Sequence, residues 1–293
     1  MTWIRFAALT LFWLPIALLG TRAKADPPQP VHWLVIDFPP YEIRTGPDSG
    51  RGVMDRYLQG LMERLPQFQH RIDVVGFQRR DALMKTAQPS CTVSRFMTPE
   101  RAQYAVSAQR PHLFLLPPRL VATRKAGDEL RAAMDRDTIS LSQVLNQRQY
   151  TLGIYPARRF GEAIDQQLEA IRAERLAAIQ DYREIGTGSI IDLLNIMARG
   201  RFELTLAYTV EVEYLRRNHP DLPPMDYFPI AGATKLLPLY IACNKTPEGL
   251  ALVQAVDQLS GQEEAAAQAQ RDFETWLTPE EKRRYDTLLP KTK

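Results

Sequence analysis

Two cysteines and four histidines are all that this 293-residue chain offers to soft-metal or redox chemistry. Cys91 and Cys243 lie too far apart for a Cys-x-x-Cys site, and His32, His70, His112 and His219 are scattered without a His-Glu-x-x-His pair. Neither a metal site nor a thiol redox centre is expected. No glycine-rich loop has the spacing that cradles phosphates. A nucleophile elbow is missing as well. Gly186-Thr187-Gly188-Ser189 comes nearest, lacks the Gly-x-Ser-x-Gly spacing, and reads as a turn in which Ser189 caps a helix. Carboxylates are plentiful, but spacing marks out no pair as an acid/base couple. The expectation is therefore a protein that is not an enzyme and carries no cofactor.

An excess of one charge is also lacking. The chain has 37 basic and 34 acidic residues, and three of the basic ones, Arg5, Arg22 and Lys24, fall in the first 25 positions. Without that segment, 34 basic residues face 34 acidic ones. Neither nucleic-acid binding nor a polybasic membrane patch is supported. The segment itself has an early Arg5, an apolar run over 6–19, and Ala23-Lys24-Ala25, the form of a cleavable export signal with the processed chain starting near Asp26. Its apolar run is too short for a spanning helix, which needs roughly 20 residues. No cysteine stands beside Gly20 for a lipid anchor, and no second run is long enough to cross a membrane. In an oxidising compartment Cys91 and Cys243 either form a bridge or stay as two buried thiols.

What is present is an alternation of strand-like and helix-like segments. Residues 31–37 read as a strand that ends at Phe38-Pro39-Pro40-Tyr41, where prolines bar ladder hydrogen bonds and two aromatic rings are displayed. A turn-rich loop with Gly46, Gly50 and Gly52 leads to a helix over 53–65, whose apolar side carries Tyr57, Leu58, Leu61, Met62 and Leu65. A strand at 71–75, a helix at 80–86, a strand at 91–97 and a helical turn at 99–104 follow. Residues 112–123, with Pro117 and Pro118 inside them, read as a connection between lobes. A second alternating set comprises helices at 141–146, 160–180 and 189–198 and strands at 150–154, 182–185 and 202–207. A proline-rich loop at 219–229 leads to the apolar strand 236–243, which returns the chain to the first lobe, and helices at 248–259 and 263–277 close it. Alternation of this kind predicts parallel sheets covered by helices, with ligands at the carboxyl ends of strands.

The run from Cys91 to Arg101 carries the sharpest chemical signal. Val93, Phe96 and Met97 suit a buried strand, Thr98 can cap the next helix, and Pro99 is tolerated at its first position. Arg101 is then held by short-range geometry, and a guanidinium can grip a carboxylate with two parallel hydrogen bonds. Phe38, Tyr41, Ser94 and Arg101 thus form a candidate binding constellation at strand ends. Aromatic rings give stacking area, and the hydroxyl and guanidinium fix orientation.

The order of these features, with Gly200-Arg201-Phe202-Glu203 in the second half, resembles the type II periplasmic substrate-binding proteins. It is most similar to the polar amino-acid (family 3) solute-binding proteins of ABC transporters and their exported relatives. The resemblance implies an α/β fold of two lobes, each a mostly parallel sheet flanked by helices, joined by two crossover strands. The expected layout is a signal peptide at 1–25, lobe 1 at 26–116, lobe 2 at 117–235 and the return to lobe 1 at 236–293. It implies a monomer that captures a small-molecule solute and hands it to an inner-membrane ABC permease, or a sensor or adaptor on the same fold that meets a sensor protein. An exported enzyme on this scaffold is the remaining class.

In the family the arginine of the Thr-x-x-Arg motif holds the ligand carboxylate, which corresponds to Arg101, with Thr98 and Ser94 beside it and Phe38 stacking. Some relatives carry cysteines where Cys91 and Cys243 stand. Two positions depart from the pattern. Tyr155-Pro156-Ala157-Arg158-Arg159-Phe160 replaces a Gly-Thr/Ser turn, and Tyr208 stands where an aspartate usually holds the ligand ammonium. Tyr155, Arg158 and Tyr208 are the further expected ligand-binding residues, and with Arg159 they suit a more anionic or aromatic ligand than an α-amino acid.

Overall fold

A computed structural model describes residues 29–134, 137–147, 150–174, 176–182 and 189–290. The expected signal at 1–25 and most of the Gly186–Ser189 turn lie outside the described residues.

The first sheet is built from β1 (Gln29–Val35), β2 (Phe68–Val74), β3 (Ser90–Arg95), β4 (Ala105–Ser107), β5 (Leu113–Leu115) and, from far along the chain, Leu237–Asn244. The second consists of β6 (Arg119–Thr123), β7 (Leu152–Ile154), β8 (Ile179–Asp181), β9 (Leu204–Ala207) and β10 (Met225–Phe228), so the late strand of the first sheet is β11. Strand order is β2-β1-β3-β11-β4 in the first sheet, with β5 also on β11, and β10-β6-β9-β7-β8 in the second. Both sheets are mixed. β1 runs parallel to β2 and β3, and β7 to β8 and β9, while the strands next to the crossovers, β6 and β11, pair antiparallel.

Parallel neighbours need a helix to carry the chain back. Helices α1 (Val53–Arg64) and α2 (Phe77–Leu83) do this in the first lobe. In the second lobe α3 (Arg124–Ala133), α4 (Leu141–Gln147), α5 (Glu162–Glu174), α6 (Ile191–Ala198) and α7 (Thr209–Asn218) cover the sheet. Finally α8 (Pro247–Gln258), α9 (Gln262–Glu274) and α10 (Pro279–Leu288) pack back on the first lobe. Two of the last three contain their own punctuation. Thr246 caps α8 ahead of Pro247, and Thr278 and Glu281 form a reciprocal capping box ahead of α10, each arrangement satisfying N–H groups that a helix start leaves unpaired.

Every residue of β3 is buried, as a strand covered on both faces requires. Trp33, Tyr41, Met54, Leu61, Phe273 and Tyr285 fill the first core, and Leu120, Leu152, Ile164, Leu168, Ile171 and Leu204 the second. A third cluster joins them. Ile43 of the first lobe packs with Tyr155, Leu193, Phe202 and Tyr214 of the second, and Trp276 touches both sides. Two chain crossings connect the lobes: β5 to β6 through Pro117 and Pro118, and β10 to β11. Cys91 and Cys243 stand opposite each other on β3 and β11 and are bridged, with a Cα–Cα distance of 4.0 Å.

Several elements differ from expectation. The segment 99–104 is only a 3-10 turn at Arg101–Gln103, because the chain turns at once into β4. The helix expected over 160–180 ends at Glu174, and Ile179 begins β8 instead. The proline-rich stretch contains β10, an edge strand on β6, which tolerates nearby prolines because only one side needs ladder partners.

Candidate ligand cleft

The parallel strands of both lobes point their carboxyl ends at each other. In the first lobe Phe38 and Tyr41 follow β1, Ser94 and Arg95 end β3, and Thr98 and Arg101 lie in the turn beyond it. In the second lobe Arg158 follows β7 and Tyr208 follows β9, and β7 and β9 are neighbours. Strand adjacency therefore brings together Arg158 and Tyr208, 50 residues apart, and the facing lobes bring together Arg158 and Phe38, 120 apart.

Arg101 sits as its local sequence dictates. Its backbone N–H donates to the Thr98 hydroxyl at 3.2 Å, and its guanidinium donates to the Phe96 carbonyl at 2.9 Å. It is not alone. Arg80 on α2 donates to the Ser94 hydroxyl and carbonyl at 3.1 and 3.3 Å, so Ser94 is held by a residue that motif reading did not single out. Arg95 pairs with Asp81 and donates to the Tyr104 hydroxyl at 2.8 Å. All three guanidiniums are buried, yet Asp81 is the carboxylate that Arg95 and Arg101 share, 3.7 Å from Arg101. Burial pushes the Asp81 carboxyl up, but the charges of Arg95, Arg101 and Arg80 outweigh that and hold it below the usual range. Burial, reinforced by Arg95, lowers Arg80 to about 9 and Arg101 to about 10, so both remain cations at neutral pH.

The other carboxylates facing this cluster are less able to neutralise it. Glu42 is fully buried, accepts from the Ile36 N–H at 3.1 Å, and is pushed up by desolvation. Asp165 on α5 accepts from the Phe160 N–H at 3.0 Å and is likewise pushed up by burial. Arg159 of the second lobe adds another positive charge and reaches across to Glu100 at 3.2 Å. The first-lobe face of the cleft thus gathers three buried guanidiniums, with Asp81 paired to two of them.

The centre of the cleft is filled. The Arg158 guanidinium crosses from the second lobe and lies 5.2 Å from the Phe38 ring and 5.5 Å from Phe77, both in the first lobe. It is 5.7 Å from Phe160 and from Tyr208 on its own side. Both of its terminal nitrogens donate to the two oxygens of Glu211, in the first turn of α7, where the helix N-terminus favours negative charge. Burial works against the Arg158 charge, but Glu211 prevails and raises its pKa. Phe38 in turn lies 4.5 Å from Tyr41 and 5.6 Å from Tyr208. A small cavity of about 10 Å³ beside Tyr41 and Tyr208 is closed off by Leu116 and Pro117 of the crossover and by Phe273, and neither Phe38, Arg101 nor Arg158 lines it.

These contacts revise two expectations. Arg158 does not stand free to meet an anion, because the Glu211 fork engages it. Tyr155 belongs to the second lobe's core, and its hydroxyl donates to the Ser189 carbonyl at 3.1 Å. Arg80, Arg95, Phe77 and Glu211 were missed. Only their burial identifies them, and Glu211 in particular sits on a helix that sequence periodicity had not marked. The lobes also meet outside the cleft, where Tyr214 donates to Asp48 at 3.3 Å and packs edge-on against Trp276 at 5.5 Å.

No protein-family model and no curated protein sequence matches the chain. Solved structures do. A mutant of an arginine-binding protein from T. maritima superposes with a TM-score of 0.57 at 14% identity, covering 84% of this chain and 93% of that one. A structure described for glutathione import through GshT and the cystine ABC importer TcyBC of Streptococcus mutans gives 0.58 at 8% identity, covering 85% and 95%. A histidine kinase sensor domain with similarity to periplasmic binding proteins gives 0.56 at 14%, covering 89% and 96%. The chain has the two-lobed periplasmic-binding-protein fold. Identities this low establish the architecture alone. Among the described residues no helix is long and apolar enough to cross a membrane, and no cluster of three or more His, Cys, Asp or Glu is arranged to hold a metal.

Proposed function

We propose that this chain is an exported solute-binding protein whose lobes close by hinge motion on a small carboxylate-bearing solute, for uptake through an ABC-type permease. Residues 1–25 direct export and are removed. Its work is capture without chemistry. The observation that carries the reading is the cluster of buried guanidiniums near the carboxyl end of β3, where Arg95 and Arg101 share Asp81 and Arg80 donates to Ser94. Leaving cations buried and under-partnered is costly, and a bound carboxylate relieves that cost while taking its orientation from Arg101. Phe38 and Tyr41 supply apolar contact, and Ser94 holds Arg80 in place.

The test is a thermal-shift and calorimetric screen of amino, keto, hydroxy and dicarboxylic acids against the wild-type protein and Arg101→Ala. Removing a guanidinium that pairs with a carboxylate in a desolvated cleft costs about 2 to 5 kcal/mol of binding. A ligand whose affinity drops by that amount supports the assignment. A ligand that binds Arg101→Ala undiminished removes Arg101 from the site.

A second reading has its own support. The cleft centre is closed by the chain's own Arg158 and Glu211, and some structures of this fold are sensor domains. A sensor or adaptor that rests closed and is recognised by another protein fits that observation. A well-folded protein that answers to no solute in the screen would favour it.

A further inference from the structure

We propose that Arg158 is a resident occupant of a cation subsite in the cleft, and that it thereby restricts the solute to carboxylates carrying no amino or guanidino group. This inference rests on the solute-binding reading above and names the ligand class for it.

The subsite is complete apart from its natural contents. Glu211 presents both carboxylate oxygens, Nη1–Oε1 being 3.1 Å. The rings of Phe38, Phe77, Phe160 and Tyr208 surround the guanidinium at 5.2 to 5.7 Å. Carboxylate fork and aromatic faces together are the chemistry that binds a guanidinium or alkylammonium ion from solution. Here the cation is part of the chain, so a diffusing competitor faces a tethered one at an effective concentration on the order of millimolar or more. Displacement would also strand Arg158 without its partner.

The geometry separates this cation from the anion site. Arg158 and Glu211 both belong to the second lobe, following β7 and β9, and stay together when the lobes part. Phe38 and Phe77 belong to the first lobe and leave the guanidinium face on opening. Arg80 and Arg101 lie on the first-lobe side and are not engaged by Glu211. A solute therefore meets, on one side, guanidiniums that Glu211 does not engage and, on the other, an already satisfied carboxylate. Tyr208, at the carboxyl end of β9, is buried and uncharged, its hydroxyl pushed up by burial. An α-amino acid whose carboxylate faces Arg101 finds Glu211 already taken, leaving its ammonium with acids such as Asp165 and Glu42, both pushed up by burial.

Two measurements test this on the full chain. The first compares matched pairs on the wild-type protein by calorimetry: alanine with propionate, glutamate with glutarate, arginine with 5-guanidinovalerate and with valerate. The member lacking nitrogen is expected to bind at least tenfold more tightly. Equal or tighter binding of the nitrogen-bearing member overturns the proposal. The second uses Arg158→Ala, with folding checked by circular dichroism, and methylguanidinium as probe at constant ionic strength. Saturable binding absent from wild type, and at least tenfold weaker in Arg158→Ala/Glu211→Gln, supports a vacated subsite. A folded Arg158→Ala that takes up no methylguanidinium overturns it, whether or not carboxylates still bind in an Arg101-dependent way. If no carboxylate binds the wild type, the solute-binding reading falls, while uptake of methylguanidinium by Arg158→Ala still upholds the occupied subsite. If Arg158→Ala does not fold, the matched pairs alone decide.

Discussion

Cutting the link between Cys91 and Cys243 should cost this protein a large part of its stability through the unfolded chain. The two cysteines pair across β3 and β11 and are 152 residues apart, so the bridge encloses the entire second lobe. In the chain-entropy account a loop of that length removes about 5 kcal/mol of freedom from the unfolded state, a sizeable share of the 5 to 15 kcal/mol that stabilises a typical domain. Cys91→Ala/Cys243→Ala is the right perturbation, because both positions are fully buried and serine would add two hydroxyls in need of partners. Urea unfolding would be followed by the fluorescence of Trp33, which lies in the same lobe as both cysteines and is buried. The midpoint should fall by an amount equivalent to about 3 to 5 kcal/mol, while the slope with urea rises because the uncrosslinked chain expands further. Reduction of the wild type should reproduce both changes. A loss below about 1 kcal/mol with an unchanged slope would refute the argument, since the bridge would then not be constraining the unfolded ensemble.

His112 should tie stability to pH. It is buried against Tyr57, with ring centroids 4.4 Å apart, and burial lowers its pKa from 6.5 to about 3. Between those values the unfolded chain takes up a proton that the native one refuses, so this contribution is complete above pH 6.5 and is lost as pH falls towards 3. The stability difference between wild type and His112→Phe should be flat above neutrality and decline below it by up to about 1.4 kcal/mol per pH unit; a difference that is flat throughout would contradict this. Gly153 on β7 leaves no room for a side chain, since a Cβ there would lie 2.6 Å from the Phe202 ring. Gly153→Ala should destabilise by about 1 to 3 kcal/mol, and Phe202→Leu in the same chain should recover part of it in urea titrations. Additive losses would show that the ring is not what Gly153 accommodates.

Much of the architecture was legible because it rests on local patterns. The strand ending at Phe38-Pro39-Pro40-Tyr41, the helix after Gly52 and the return strand to Cys243 follow from turn chemistry and periodicity. Arg101 was placed by its own neighbours, as the Thr98 hydroxyl under its N–H demonstrates. Boundaries failed where a short element gave too little pattern. The turn at Arg101–Gln103 read as a helix, and β10 was hidden among prolines that an edge strand accommodates.

By itself, the sequence determined the alternation of strands and helices, the scarcity of metal, thiol and phosphate chemistry, and the presence of an arginine poised after a buried strand. These properties belong to residues within a few positions of one another. Tertiary structure decided which charges are spent and which remain. Arg158 and Arg101 look alike as letters. Arg158 meets Glu211 because β7 and β9 are neighbours in the sheet, whereas Arg101 joins Arg95 at one shared aspartate, with Arg80 buried beside them. Electrostatic partnership depends on distance and burial, and neither is written in the order of the chain.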